Sequence, residues 1–195
     1  MRETPLNRRT PLKAKKTALK RTKIRVVGQS SKSELKSEIQ AILRAIVILR
    51  DKGCFLRHFS KEIESNYVSC GGIRNDGNLI LQAEHLHSRA NANSFAESRI
   101  NVCTCQRHHI YYKPQYPATY NALARKFIGE KNYRLWEVIR TDRTPHKIDL
   151  KLSKIALEQE LRTLLRKSVD NLNGFQNNTD IVVAEIFSKY KYLLK

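Results

Sequence analysis

Apolar residues recur at helical spacing through Leu35, Ile39, Ile42, Leu43, Ile46 and Leu49, which predicts an amphipathic helix over residues 33–52. Ser31-x-x-Glu34 has the form of a capping box at its start, and Gly53 stands where a glycine would end it. The pattern then changes to short apolar runs, an Asn75-Asp76-Gly77 turn signal and a strand-like segment over 79–83. Helical spacing returns over about 118–140 with Tyr120, Leu123, Ala124, Phe127, Leu135, Trp136 and Ile139, broken at Gly129. A further helix is expected over about 148–167 on Ile148, Leu152, Ile155, Leu161, Leu164 and Leu165. These stripes read as core. An Asn/Gly stretch at 171–178 predicts a linker, and Ile181 to Leu194 a short terminal helix; the role of 169–195 is open.

Composition adds a strong electrostatic statement to this helix-rich pattern. The 195 residues carry 37 Lys and Arg against 18 Asp and Glu, a formal charge of +19. Eleven basic side chains and one acid, Glu3, fall within residues 1–32, where Arg9-Thr-Pro-Leu-Lys13 is loosely repeated as Thr17-Ala-Leu-Lys20. Such a segment cannot bury enough apolar surface to order itself, so a flexible basic arm is expected, gripping phosphates without regard to sequence. The partner it implies is a polyanion, and nucleic acid is the commonest one. No apolar run reaches the length of a spanning helix and the N-terminus lacks an apolar signal core. No membrane partner and a cytoplasmic location are therefore expected, with the thiols reduced or bound to metal.

Nine of the ten Cys and His residues lie between Cys54 and His109, a clustering that points to metal. One constellation is Cys54, Cys70, Cys105 and His108. Cys105-x-x-His108 has zinc-knuckle spacing, and Cys70-Gly-Gly carries the glycines a knuckle turn uses. His58 and Cys103 are alternative ligands. A second constellation is Glu84-His85, Asn101 and His109. A histidine at the end of a strand can take a proton from water at neutral pH. A neighbouring carboxylate and a histidine from a following helix can hold one divalent cation on a scissile phosphate, and the Asn101 amide can tie the intervening loop.

The run Ala83-Glu84-His85, Ile100-Asn101-Val102, Cys105-Gln106-Arg107-His108-His109 and Lys113 resembles the HNH, or ββα-metal, endonucleases, where an acidic-His pair, an Asn and a Cys-x-x-Cys-His motif follow in that order. The wider layout is similar to the phage NinG (Rap) recombination nucleases, which share the Lys/Arg-Thr-Pro-Leu arm and a Tyr/Ile/Gly-bearing helix after the motif. Here Tyr120, Ile128 and Gly129 would fill the last. The resemblance spans roughly 1–165, with specific motifs only in 54–113. It implies an α+β fold: a small zinc-stapled ββα core flanked by helices, in a nuclease domain over 33–168. It further implies His85 as general base supported by Asn101, Glu84 and His109 on one Mg²⁺ or Mn²⁺, and Cys54, Cys70, Cys105 and His108 on one Zn²⁺. The implied activity is hydrolysis of branched or recombining DNA, with Arg89, Arg99, Arg107 and Lys113 near enough to meet flanking phosphates. Three departures stand out: fifteen residues between Cys54 and Cys70, His108 in place of a cysteine, and Asn101 one residue closer to His109 than is usual. A zinc module that binds DNA or RNA without cutting it is the other reading of the same residues.

Overall fold

Helix α1 (Lys32–Asp51) begins on the expected capping box: Ser31 Oγ accepts the Glu34 N–H at 3.2 Å, and Glu34 Oε2 accepts the Ser31 N–H at 2.6 Å. Its end differs from expectation. Lys52, not Gly53, takes the first left-handed position (φ 55°), and its N–H closes on the Ile48 carbonyl at 3.0 Å. Gly53 follows at φ 122°, where a Cβ would lie 2.6 Å from the Gln176 side chain. Between Ile39 and Leu49 only Gln40, Ala41 and Arg44 escape full burial. This half of α1 is a central helix rather than a surface one, because other elements close around it on three sides.

The computed structural model describes residues 31–63, 69–86, 94–142, 144, 147–169, 175–176 and 178–195. Nearly all of the expected basic arm, and Arg89, lie outside them. Among the described residues no helix is long and apolar enough to cross a membrane.

After a 3₁₀ segment (Phe55–Glu62), strands β1 (Leu81–His85) and β2 (Asn101–Cys105) pair antiparallel, with Leu81 opposite Cys105 and His85 opposite Asn101. The strand starts two residues later than the apolar run suggested. The Leu79 N–H is instead taken by the Asn178 carbonyl at 2.9 Å, a partner far away in sequence. Two strands alone are marginal in water, and α1 supports both. Arg44 Nε donates to the Leu81 carbonyl at 2.9 Å, and Asp51 Oδ2 accepts the Cys103 N–H at 2.7 Å.

The chain leaves β2 directly into a helical stretch, a π turn (His108–Tyr112) that runs on into α2 (Lys113–Gln115). Helix α3 (Pro117–Thr141) is broken at Gly129, where φ 79° and ψ 160° are non-helical, as the pattern anticipated. Helix α4 (Leu150–Val169) packs on α1, but its phase corrects the sequence reading. Leu152 and Ile155 are exposed, at 64% and 50%, and the buried stripe is Leu150, Leu157, Leu161 and Leu165. Those four positions share one face at seven- and four-residue spacing, which puts Leu152 and Ile155 away from α1. Helix α5 (Asp180–Tyr190) returns to α1 and the 3₁₀ turn after it (Lys191–Leu194) packs on α4, burying Val182, Val183, Ile186, Tyr190 and Leu193. The described residues form a mixed, helix-rich α+β fold with one small sheet.

Candidate functional site

The end of β1, all of β2 and the helical stretch that follows carry most of the chemistry. At one end of the strand pair, Cys54, Cys70, Cys105 and His108 converge, their ligand atoms within 4.8 Å of one another. His108 presents Nδ1, lying 3.2 Å from the Cys105 sulfur, 3.3 Å from that of Cys54 and 3.8 Å from that of Cys70. Three soft thiols and one ring nitrogen form the donor set of a tetrahedral structural zinc site, and the cluster is largely buried, as such sites are. Its electrostatics favour a cation. Hydrogen bonds from the Cys54 and Cys70 thiols hold the Cys105 sulfur far below the usual thiol range, while burial pushes Cys54 well up. Burial alone would lower His108, but the sulfurs of Cys105 and Cys70 outweigh it and raise the imidazole to about 9. A divalent ion bound here would displace the protons that the thiols and the imidazole otherwise share.

Cys103 and His58, the alternative ligands, stand outside the cluster. Cys103 is fully buried, its backbone held by Asp51, and His58 stacks on Phe127 with ring centroids 5.5 Å apart. The fifteen-residue gap between Cys54 and Cys70 is accommodated because Cys70 returns through two glycines packed on the second half of the cluster. The Gly71 carbonyl accepts the Arg107 N–H at 3.2 Å, and the Gly72 carbonyl the Ile80 N–H at 2.8 Å. A Cβ at Gly72, where φ is +82°, would lie 2.5 Å from the Gln106 Cβ. Gly72→Ala is therefore expected to cost about 1–3 kcal/mol from backbone strain alone, read as a melting midpoint lower by several degrees. An unchanged midpoint would mean that the turn can be rebuilt without the glycine.

At the other end of the pair stand Glu84 and His85, consecutive in β1. Glu84 is buried and turns toward the helical stretch, where its Oε2 meets His109 Nδ1 and its Oε1 meets Lys113 Nζ. His109 and Lys113 are four residues apart on one face, so a single carboxylate collects both. His85 is the last residue of β1, opposite Asn101. Asn101 is fully buried, and its Nδ2 donates to the Glu97 carbonyl at 2.5 Å, fastening the loop that leads into β2. Its Oδ1 is buried with no hydrogen-bond partner among the described residues.

The π turn explains how consecutive histidines serve two places. The Lys113 N–H bonds the His108 carbonyl, five residues back, so the turn is wider than an α turn. His108 faces inward to the sulfurs, with Tyr112 edge-on to its ring at 5.8 Å, while His109 stays 40% exposed beside Glu84.

Of the cations expected near phosphates, Lys113 is turned inward onto Glu84. Arg99 is held by both Glu97 oxygens at 2.6–2.7 Å, and exposed Arg107 reaches Ser69 Oγ at 3.3 Å. Comparison with known proteins finds no match. No family model, no curated protein and no solved structure matches this chain.

Two supporting residues escaped the sequence reading. Arg50 pairs with buried Asp51 at 2.6 Å and donates to the carbonyls of Ser98 (2.8 Å) and Asn101 (2.6 Å). Burial pushes the Asp51 carboxyl up, with Arg50 working against it. Together they pin both ends of the turn into β2. One signal was available: an aspartate in a last helical turn opposes the helix dipole and needs another reason to be there.

Proposed function

We propose that the protein is a metal-dependent DNA endonuclease of the HNH, or ββα-metal, type, acting on branched or recombining DNA. The observation that carries this reading is the register of the strand pair. It sets His85 opposite Asn101 while the adjacent Glu84 meets His109 from the helix that follows. Glu84 and His109 would hold one Mg²⁺ or Mn²⁺, and two protein ligands leave the remaining positions to water and phosphate, as such ions prefer. When bound, that cation neutralises charge on the phosphate and the leaving oxygen. His85 takes the proton from the attacking water, and Asn101 keeps the loop beside it in place. Lys113 keeps the Glu84 carboxylate aimed toward His109. Zinc on Cys54, Cys70, Cys105 and His108 would fix the π turn and so the position of His109.

One observation favours the non-catalytic alternative, a zinc module that binds DNA or RNA. One Glu84 oxygen is already taken by the Lys113 ammonium, which competes with a cation for the carboxylate. Plasmid nicking separates the two. A nuclease converts supercoiled plasmid to nicked circles with Mg²⁺ or Mn²⁺ and stops with EDTA; a binding module retards the plasmid and leaves it intact.

Residues 2–32 supply a second check. Their deletion is expected to weaken binding to every DNA alike, each lost phosphate contact flattening the slope of log K against log salt by about 0.9. Cutting at low salt should survive. Loss of junction preference alone, with the salt slope unchanged, would show that the arm reads DNA shape instead.

A further inference from the structure

Beyond His85 the chain passes Leu86, whose carbonyl accepts the indole N–H of Trp136 at 3.2 Å. A cavity of about 200 Å³ opens there, lined by Leu86, Asn121, Ala122, Arg125, Tyr133 and Trp136. The break at Gly129 creates it, since Asn121, Ala122 and Arg125 come from the first half of α3 and both aromatic residues from the second. A Cβ at Gly129 would touch nothing within 4 Å, so the glycine serves its backbone angle rather than a close approach. The Tyr133 and Trp136 rings lie 5.0 Å apart at 37°, and both are half-buried. The Arg125 guanidinium sits 3.9 Å from the centre of the Tyr133 ring, and that of Arg140 5.2 Å from Trp136.

We propose that this cavity receives an unpaired nucleobase of the strand whose backbone passes His85. The inference deepens the nuclease reading and rests on its DNA partner. Its volume is below that of a drug-sized pocket and suits one planar ring system. Paired aromatic rings give a stacking platform, which every base can use through its flat face. Arginine decides the sign of the occupant. The Arg125 guanidinium is shared with Glu130 at 3.2 Å, which leaves Arg140, over the Trp136 ring, as the cation that repels a quaternary ammonium and attracts a phosphate beside a stacked base. Asn121 offers an exposed amide at the rim for a base edge. Duplex bases are stacked on one another and cannot enter, so the cavity would select forks, flaps and junctions, where a base is already free.

Trp136 is the one tryptophan of the chain, so its emission reports on the cavity alone. The full-length protein, without added divalent cation, is titrated with a short oligothymidylate, an abasic strand of equal length and a blunt duplex, with anisotropy of labelled DNA following binding. Oligothymidylate is expected to quench the emission, while the abasic strand and the duplex bind without quenching it. Tyr133→Leu, which keeps an apolar side chain in place, should weaken oligothymidylate binding about tenfold and leave the abasic strand unaffected. Equal quenching by the abasic strand, or binding of oligothymidylate with no change in emission, overturns this inference and leaves the nuclease reading standing. Failure to bind any of the three overturns the nucleic-acid reading and this inference with it.

Discussion

Cleavage by His85→Ala is expected to fall by about 10²–10⁴-fold, the usual worth of general-base assistance. That corresponds to roughly 3–5.5 kcal/mol of barrier. The substitution removes the group we propose as the proton acceptor and leaves Glu84, His109, Lys113 and the cysteine cluster in place. Its melting midpoint should stay within a few degrees of the parent, and its affinity for DNA should be unchanged. Cleavage by the parent should fall in acid, where an imidazole is protonated and no longer accepts a proton. Single-turnover cleavage, a thermal melt and a binding titration on the same sample check the three statements. A variant that cuts normally, or one that loses cleavage only by unfolding, would sink the assignment.

Cys105→Ala should behave in the opposite way, losing zinc, cleavage and stability together. Metal contributes folding free energy to small sites of this kind, apparently about 10–16 kcal/mol in isolated zinc-finger peptides. Here the larger core around α1 survives in part, so local loosening of residues 69–86 and 101–115 is the expected result rather than global collapse. The loss of cleavage follows from chain geometry. His108 and His109 are consecutive in one π turn, so releasing the first from the sulfurs displaces the second from Glu84. Elemental analysis should find about one zinc per chain in the parent and none in the variant. Folded parent protein without zinc would remove the structural-metal claim and leave the His85 prediction untouched.

The parts of this arrangement that follow local rules could be read directly from the chain. The α1 cap, the Gly129 break and the Cys105-x-x-His108 half of the cluster rest on short spacings or on single residues with unusual backbone preferences, whereas Cys54 and Cys70 join it from a distance and left His58 and Cys103 open as alternatives. What depends on partners far away in sequence could not be read. The phase of α4 was ambiguous because Leu152 and Ile155 are as apolar as Leu157 and Leu161, and only the position of α1 decides which pair is buried. The start of β1 moved because Asn178 takes the Leu79 N–H. Arg50 and Asp51 end the α1 helix and hold the turn into β2 through hydrogen bonds spanning some fifty positions, partners that local spacing does not reveal.

Gln176 gives the molecule an order in time. Its Oε1 accepts the Cys54 N–H at 2.9 Å, its own N–H bonds the Lys52 carbonyl at 2.9 Å, and it fills the space beside Gly53. A chain leaving the ribosome presents all four cluster ligands before Gln176 has been made, and structure forms from the N-terminal side as synthesis proceeds. Metal capture can therefore come first, with the closing clasp arriving afterwards over a site already filled. In the folded protein Gln176 ties down the Cys54 backbone, so opening this clasp would loosen one ligand of the cluster.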